Sequence, residues 1–91
     1  IHAKCNIALL KEQKQIPIVI FENNEAYRKS LELYFEEFPG IRIAGSYADG
    51  LQAAERVAAA AAALVLMDID MPGINGIEAT IQIKTSLPEV Q

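Results

Sequence analysis

Three short apolar runs, spaced by stretches of helical periodicity, constrain this chain most: IPIVIF at 16–21, IRIAGSY at 41–47 and LVLM at 64–67. The first is a continuous β-branched run of the kind buried on both faces of a sheet. Its Pro17 lies near the start, where a missing amide donor is tolerated. The second alternates Ile41 and Ile43 with polar or small residues and reads as a more exposed, edge-like strand. Between these two, 22–40 sets Tyr27, Leu31, Tyr34, Phe35 and Phe38 at helical spacing, with Asn23 or Asn24 as a cap and Pro39-Gly40 as a stop. Residues 48–63 read as a second helix started near Asp49. Residues 77–86 read as a third, with Ile77 and Ile81 on one stripe, Thr80 and Lys84 beside them, and Leu87-Pro88 as its end. A fourth strand is expected to begin near Val90.

Strands that alternate with helices at this spacing imply crossover connections and a mostly parallel sheet, an α/β domain. In such a sheet ligands gather at the carboxyl ends of the strands, where the strand order reverses. Both continuous apolar strands end there in polar residues: Phe21 leads into Glu22-Asn23-Asn24, and Met67 into Asp68. If these strands are neighbours, Glu22 and Asp68 meet in one pocket.

Composition removes several function classes. Acids outnumber bases 12 to 8, the net charge is −4, and the basic residues are scattered, so there is no electrostatic footprint for nucleic acid or acidic lipid. The longest apolar run, 57–67, is about half a membrane span and mostly alanine. A single cysteine, Cys5, cannot form an internal disulfide and fits a reducing, cytoplasmic setting. Residues 1–15 carry only a short apolar patch between lysines and read as a tail, linker or tag remnant rather than a signal peptide. There is no glycine-rich phosphate loop, and the only histidine, His2, lies in that tail, away from any nucleophile.

The acids are the remaining chemistry. A lone acid after a strand is usually a solvated loop or a helix cap. Asp68 and Glu22 at neighbouring strand ends, with Pro72, Gly73 and Gly76 shaping the turn, point instead to a site. Close carboxylates repel one another unless a cation offsets the charge. A few hard oxygen ligands that leave room for waters and a phosphate suit Mg²⁺. One carboxylate in such a site can act as the nucleophile and form an aspartyl phosphate, and Asp68 is the natural candidate. The stretch DIDMPGINGIEA does not fit a calcium loop: Pro72 takes a ligand position, Ala79 falls where the closing glutamate belongs, and a strand precedes it. LVLMDID also resembles the nucleophile motif of haloacid dehalogenase-type phosphatases, but that motif usually lies on the first strand rather than the third, so this is a distant alternative.

Taken together, LVLMDIDMPGINGIEATIQIK, with FEEFPGIRIAGSYADGLQAAE and SLPEV, resembles the receiver domain of two-component response regulators of the NarL/FixJ type. The resemblance runs from about residue 16 to residue 91. It implies a flavodoxin-like doubly wound parallel sheet of which about the first three βα units are present. It implies that Asp68 is the phosphoacceptor, receiving its phosphoryl group from a sensor histidine kinase. Glu22 and Asn23 then fall where the family has an acidic pair, and Asp70 falls where a backbone carbonyl completes the Mg²⁺ shell. The domain is in that case a switch rather than a turnover enzyme. It governs transcription through a helix-turn-helix output domain that lies outside this chain, and it is expected to form a homodimer on phosphorylation. A degenerate receiver, acting by interaction alone, is the alternative.

Three departures from the family pattern stand out. The acidic pair is Glu-Asn here, which removes one formal charge and weakens the hold on Mg²⁺. The hydroxyl residue and the lysine expected after the fourth and fifth strands would lie beyond Gln91. Ala58 to Ala63 is a run of six alanines where related receivers carry varied residues, though alanine is an excellent helix former.

Overall fold

The computed structural model describes residues 15–71 and 73–91. Residues 1–14 of the expected tail, with His2 and Cys5, and Pro72 in the turn lie outside the described residues. Six elements follow in order: β1 (Ile16–Phe21), α1 (Glu25–Glu36), β2 (Ile41–Tyr47), α2 (Ala53–Ala60), β3 (Leu64–Met67) and α3 (Gly76–Ser86). The strands form one parallel sheet in the order β2-β1-β3. The non-consecutive pairing of β1 with β3 puts α1 on one face and α2 with α3 on the other, the doubly wound arrangement expected from the sequence.

Strand β1 is the middle strand, and Ile18, Val19, Ile20 and Phe21 are all 1% exposed or less, which is why these four positions are apolar. Each such side chain contributes roughly 1.5–3 kcal/mol by its burial. Alternation divides the strand. Val19 and Phe21 join Ala53, Val57, Ala79 and Ile83 in the core under α2 and α3, while Ile18 and Ile20 face α1. On β2 the alternation breaks: Ile18 pairs with Ile43 but Val19 pairs with Gly45, so Ala44 is an extra residue in the ladder. This bulge turns Ser46 toward α1, where its hydroxyl donates to the Glu32 carboxylate at 2.5 Å. It also turns Tyr47 to the opposite face, stacked on Phe21 with ring centroids 5.5 Å apart.

Several expectations need correction. Helix α2 begins at Ala53, not near Asp49. The Asp49 carboxylate instead accepts the Leu51 amide at 3.1 Å and pairs with Arg56, an arrangement that holds the chain in a turn, and Gln52 follows at φ 53°. The helix also stops at Ala60 rather than running through the alanines. Ala61 takes φ 51°, with its amide donating to Ala58 and the Ala62 amide to Val57, which is a Schellman closure built on alanine.

On α3 the inward residues are Gly76, Ala79 and Ile83, whereas the expected stripe, Ile77 and Ile81 with Thr80 and Lys84, is exposed. Small residues at 76 and 79 let the helix approach the sheet closely, and that approach decides which face turns in. Strand β3 is half-buried, and among the described residues its outer edge meets only the backbone of Gln91. There the Val65 amide donates to Gln91 and the Gln91 amide to Ala63. No fourth strand is present among the described residues, but this pairing falls where one was expected to begin. Of the stripe expected on α1, Tyr27 and Tyr34 are exposed and only Leu31 and Phe35 are half-buried, while Phe38, also exposed, lies past the end of the helix.

Candidate functional site

The ends of β1 and β3 bring the two leading acids together. Phe21 pairs with Met67 in the parallel register, and one residue further the Asp68 amide donates to the Phe21 carbonyl at 2.9 Å. On the other side the Glu22 amide donates to Tyr47 at 3.0 Å, so Glu22 is fixed by the β1–β2 ladder just as Asp68 is by β1–β3. Phe21 and Met67 turn toward α2 and α3, and alternation turns the next residue of each strand toward α1. Glu22 and Asp68 accordingly line one cleft of about 280 Å³ with Ile20, Leu66, Tyr27 and Leu31. Both acids are half-buried, so they are reachable from solvent.

Local hydrogen bonds hold the carboxylates. One Glu22 oxygen accepts the Asn24 amide at 3.0 Å, and Asn24 in turn caps α1 by accepting the Tyr27 amide at 2.9 Å. Asn24, not Asn23, is therefore the cap, and the Asn23 side chain is not used in starting the helix. One Asp68 oxygen accepts the Asp70 amide at 3.2 Å, which folds the chain back over the strand end. Asp70 itself is exposed. The two acids of DIDM are thus unlike: Asp68 lines the cleft, while Asp70 supplies a backbone donor and carries its side chain at the surface.

The start of α3 closes the site from the other side. The Gly76 amide donates to Ile69 at 2.8 Å, and a Cβ at position 76 would overlap the Asp68 carbonyl oxygen and lie 2.6 Å from Ile69 Cα. Glycine is required there because the helix start rests on the backbone of Asp68 and Ile69. Gly73, at φ 82°, supplies the turn before it, and Asn75 caps the helix by accepting the Glu78 amide at 2.9 Å.

Of the expected ligands, Glu22 and Asp68 line the cleft, whereas Asn23 and Asp70 are exposed and do not; the oxygens all four residues carry are hard donors, of the kind that suits Mg²⁺ rather than a softer metal. Among the described residues no three of His, Cys, Asp and Glu gather as a metal-holding group. Arg28 had no signal in the sequence: its guanidinium Nη1 donates to the Glu22 carbonyl oxygen at 2.8 Å, across six positions and from a helix face that carries no motif.

Comparison with known proteins agrees with this geometry. The response regulator UvrY of Escherichia coli O157:H7 is 34% identical over 76 residues, which are 84% of this chain and 35% of that protein. The transcriptional regulatory protein DegU of Brevibacillus brevis is 30% identical over 79 residues, 87% of this chain and 34% of that protein. The chain thus spans about a third of the length of these relatives. The crystal structure of the response regulator domain of Thermotoga maritima CheB superposes with a TM-score of 0.77 at 30% identity, covering 81% of this chain and 55% of that one. Residues 18–91 match the family described as the response regulator receiver domain. The chain belongs to the response regulator receiver domain family.

Proposed function

We propose that this domain is a phosphorylation-controlled switch in which Asp68 accepts a phosphoryl group from the phosphohistidine of a sensor histidine kinase. The observation that carries this reading is the pairing of Asp68 with the end of β1, which sets its carboxylate beside Glu22 in one solvent-reachable cleft. An Asp68 carboxylate oxygen attacks phosphorus, a P–O bond forms as the P–N bond breaks, and the imidazole nitrogen keeps the electron pair of the broken bond. When bound, Mg²⁺ would be held by Glu22, Asn23, Asp68 and the backbone carbonyl of Asp70, and would supply neutralising charge for the transferring oxygens. The Asp70 amide restrains Asp68 for attack. The added charge on Asp68 then biases the connection to α3, whose first residue rests on the Asp68 peptide.

On this reading residues 16–91 are the receiver and residues 1–15 a preceding linker. A helix-turn-helix output domain elsewhere in the full protein binds DNA, as suits relatives named as a response regulator and a transcriptional regulatory protein. The partners are a cytoplasmic histidine kinase domain and, once Asp68 is phosphorylated, a second copy. Among the described residues no helix is long and apolar enough to cross a membrane.

Asn23 favours one second reading, a receiver that keeps the fold and acts by interaction without phosphorylation. Incubation of the full chain with Mg²⁺ and acetyl phosphate separates the two. The expected result is a single phosphoryl adduct that is lost in Asp68→Asn. No adduct at saturating Mg²⁺ overturns the switch in favour of the interaction module, and repeated turnover of a phosphate ester overturns both in favour of a phosphatase.

A further inference from the structure

We infer that Arg28 is a positioning residue for the cation site: its guanidinium orients the Glu22–Asn23 peptide so that both residues present their oxygens to the metal. The inference rests on the reading of Glu22 and Asn23 as metal ligands. The Glu22 amide is held by Tyr47 and the Glu22 carboxylate by the Asn24 amide. The Glu22 carbonyl, which sets the plane of the peptide leading to Asn23, is held by Arg28 Nη1 at 2.8 Å in a part-buried, charge-assisted bond. Arg28 itself is anchored, because its amide donates to Asn24 at 2.8 Å as the first bond of α1. The side chain therefore ties the helix back onto the strand end and spans the loop that carries both ligands.

A cation beside a cation site has an electrostatic effect of known sign. If Arg28 acted only through its charge, its removal would strengthen Mg²⁺ binding. If it only packed α1 against the sheet, its removal would lower stability and leave the affinity of the folded protein unchanged. Positioning requires the opposite of the charge effect: removal weakens binding, by about tenfold, the lower end of what loss of an outer-shell partner costs a metal site.

The test compares the full wild-type chain with Arg28→Met, which keeps the stem and removes charge and donors, and with Arg28→Lys, which keeps a charged donor. Mg²⁺ affinity is read by calorimetry, with a thermal melt confirming the folded state of each protein. Weaker binding by Arg28→Met and substantial recovery in Arg28→Lys are the expected results. Binding by a folded Arg28→Met that equals or exceeds wild type overturns the inference, as does an Arg28→Lys no better than Arg28→Met. If Arg28→Met does not fold, the ¹⁵N resonances of the wild-type Arg28 guanidinium carry the test. They are expected to shift with Mg²⁺ occupancy, and invariance through saturation overturns the inference. A wild-type chain that binds no Mg²⁺ overturns the site reading and this inference with it, whereas the other contrary outcomes remove the inference alone.

Discussion

Replacing Gly76 with alanine should damage both the fold and the chemistry, because the obstacle to the new methyl group is the backbone of Asp68 itself. The added Cβ would overlap the Asp68 carbonyl oxygen and lie 2.6 Å from Ile69 Cα and 2.7 Å from the Asp68 carbonyl carbon. Ordinary contact begins near 3.4 Å, so the peptide must retreat by about 0.8 Å at Ile69 Cα and by more at the Asp68 carbonyl oxygen. Neither partner is the flexible end of a side chain, so the cost lies at the upper end of overpacking, about 3 kcal/mol. The smaller entropy of alanine in the unfolded chain offsets at most about 1 kcal/mol of this. For a domain of this size the remaining 2 kcal/mol or so lowers the melting temperature by roughly 8–16 °C. The same displacement moves Asp68, the proposed nucleophile, by about 1 Å or more, a misplacement that costs on the order of 10²-fold in rate.

Both effects are measurable on one preparation, by a thermal melt and by the rate of adduct formation from acetyl phosphate. Gly40→Ala is the control, since nothing lies within 4 Å of a Cβ there, and its effect should stay within about 0.5 kcal/mol. A Gly76→Ala protein with the melting temperature and adduct rate of wild type would refute the close approach of α3 to the phosphoacceptor peptide.

Two further substitutions should improve the protein. Ala61→Gly removes a Cβ from a left-handed helix end whose Schellman bonds are already in place, and a melt should show about 1 kcal/mol of added stability. A loss of stability would contradict the closure. Asn23→Asp restores a second acid at the end of β1. A unit charge about 4 Å from a divalent cation in water-like surroundings contributes about 2 kcal/mol, so Mg²⁺ affinity measured by calorimetry should rise roughly tenfold or more, and an unchanged affinity would remove Asn23 from the ligand set.

What was legible in the sequence were the features set by local pattern. The apolar runs marked all three strands to the residue, even though a bulge at Ala44 breaks the alternation of the second. That the acids at the ends of the first and third strands share a cleft was legible because parallel topology fixes which ends of the strands meet. Less legible were features decided by packing. Ile77 and Ile81 made the more apolar stripe on the third helix, yet Gly76, Ala79 and Ile83 face inward, because the small residues at 76 and 79 allow the close approach that turns Ile83 into the core. Asp49 looked like a helix cap and is instead committed to a turn and to Arg56, whose guanidinium also sits 4.4 Å from the centroid of the Tyr47 ring. Arg28 was silent, since a bond to a backbone carbonyl six residues away leaves no trace in residue type.

The central claim is that Asp68, and neither Asp70 nor Glu22, is the phosphoacceptor. Borohydride reduction of the acetyl phosphate-treated protein converts an aspartyl phosphate to homoserine and so records the residue that carried it. Peptide sequencing by mass spectrometry should then read homoserine at position 68 with Asp70 and Glu22 intact. Homoserine at position 70, reduction at Glu22, or an unmodified peptide under saturating Mg²⁺ would contradict the claim.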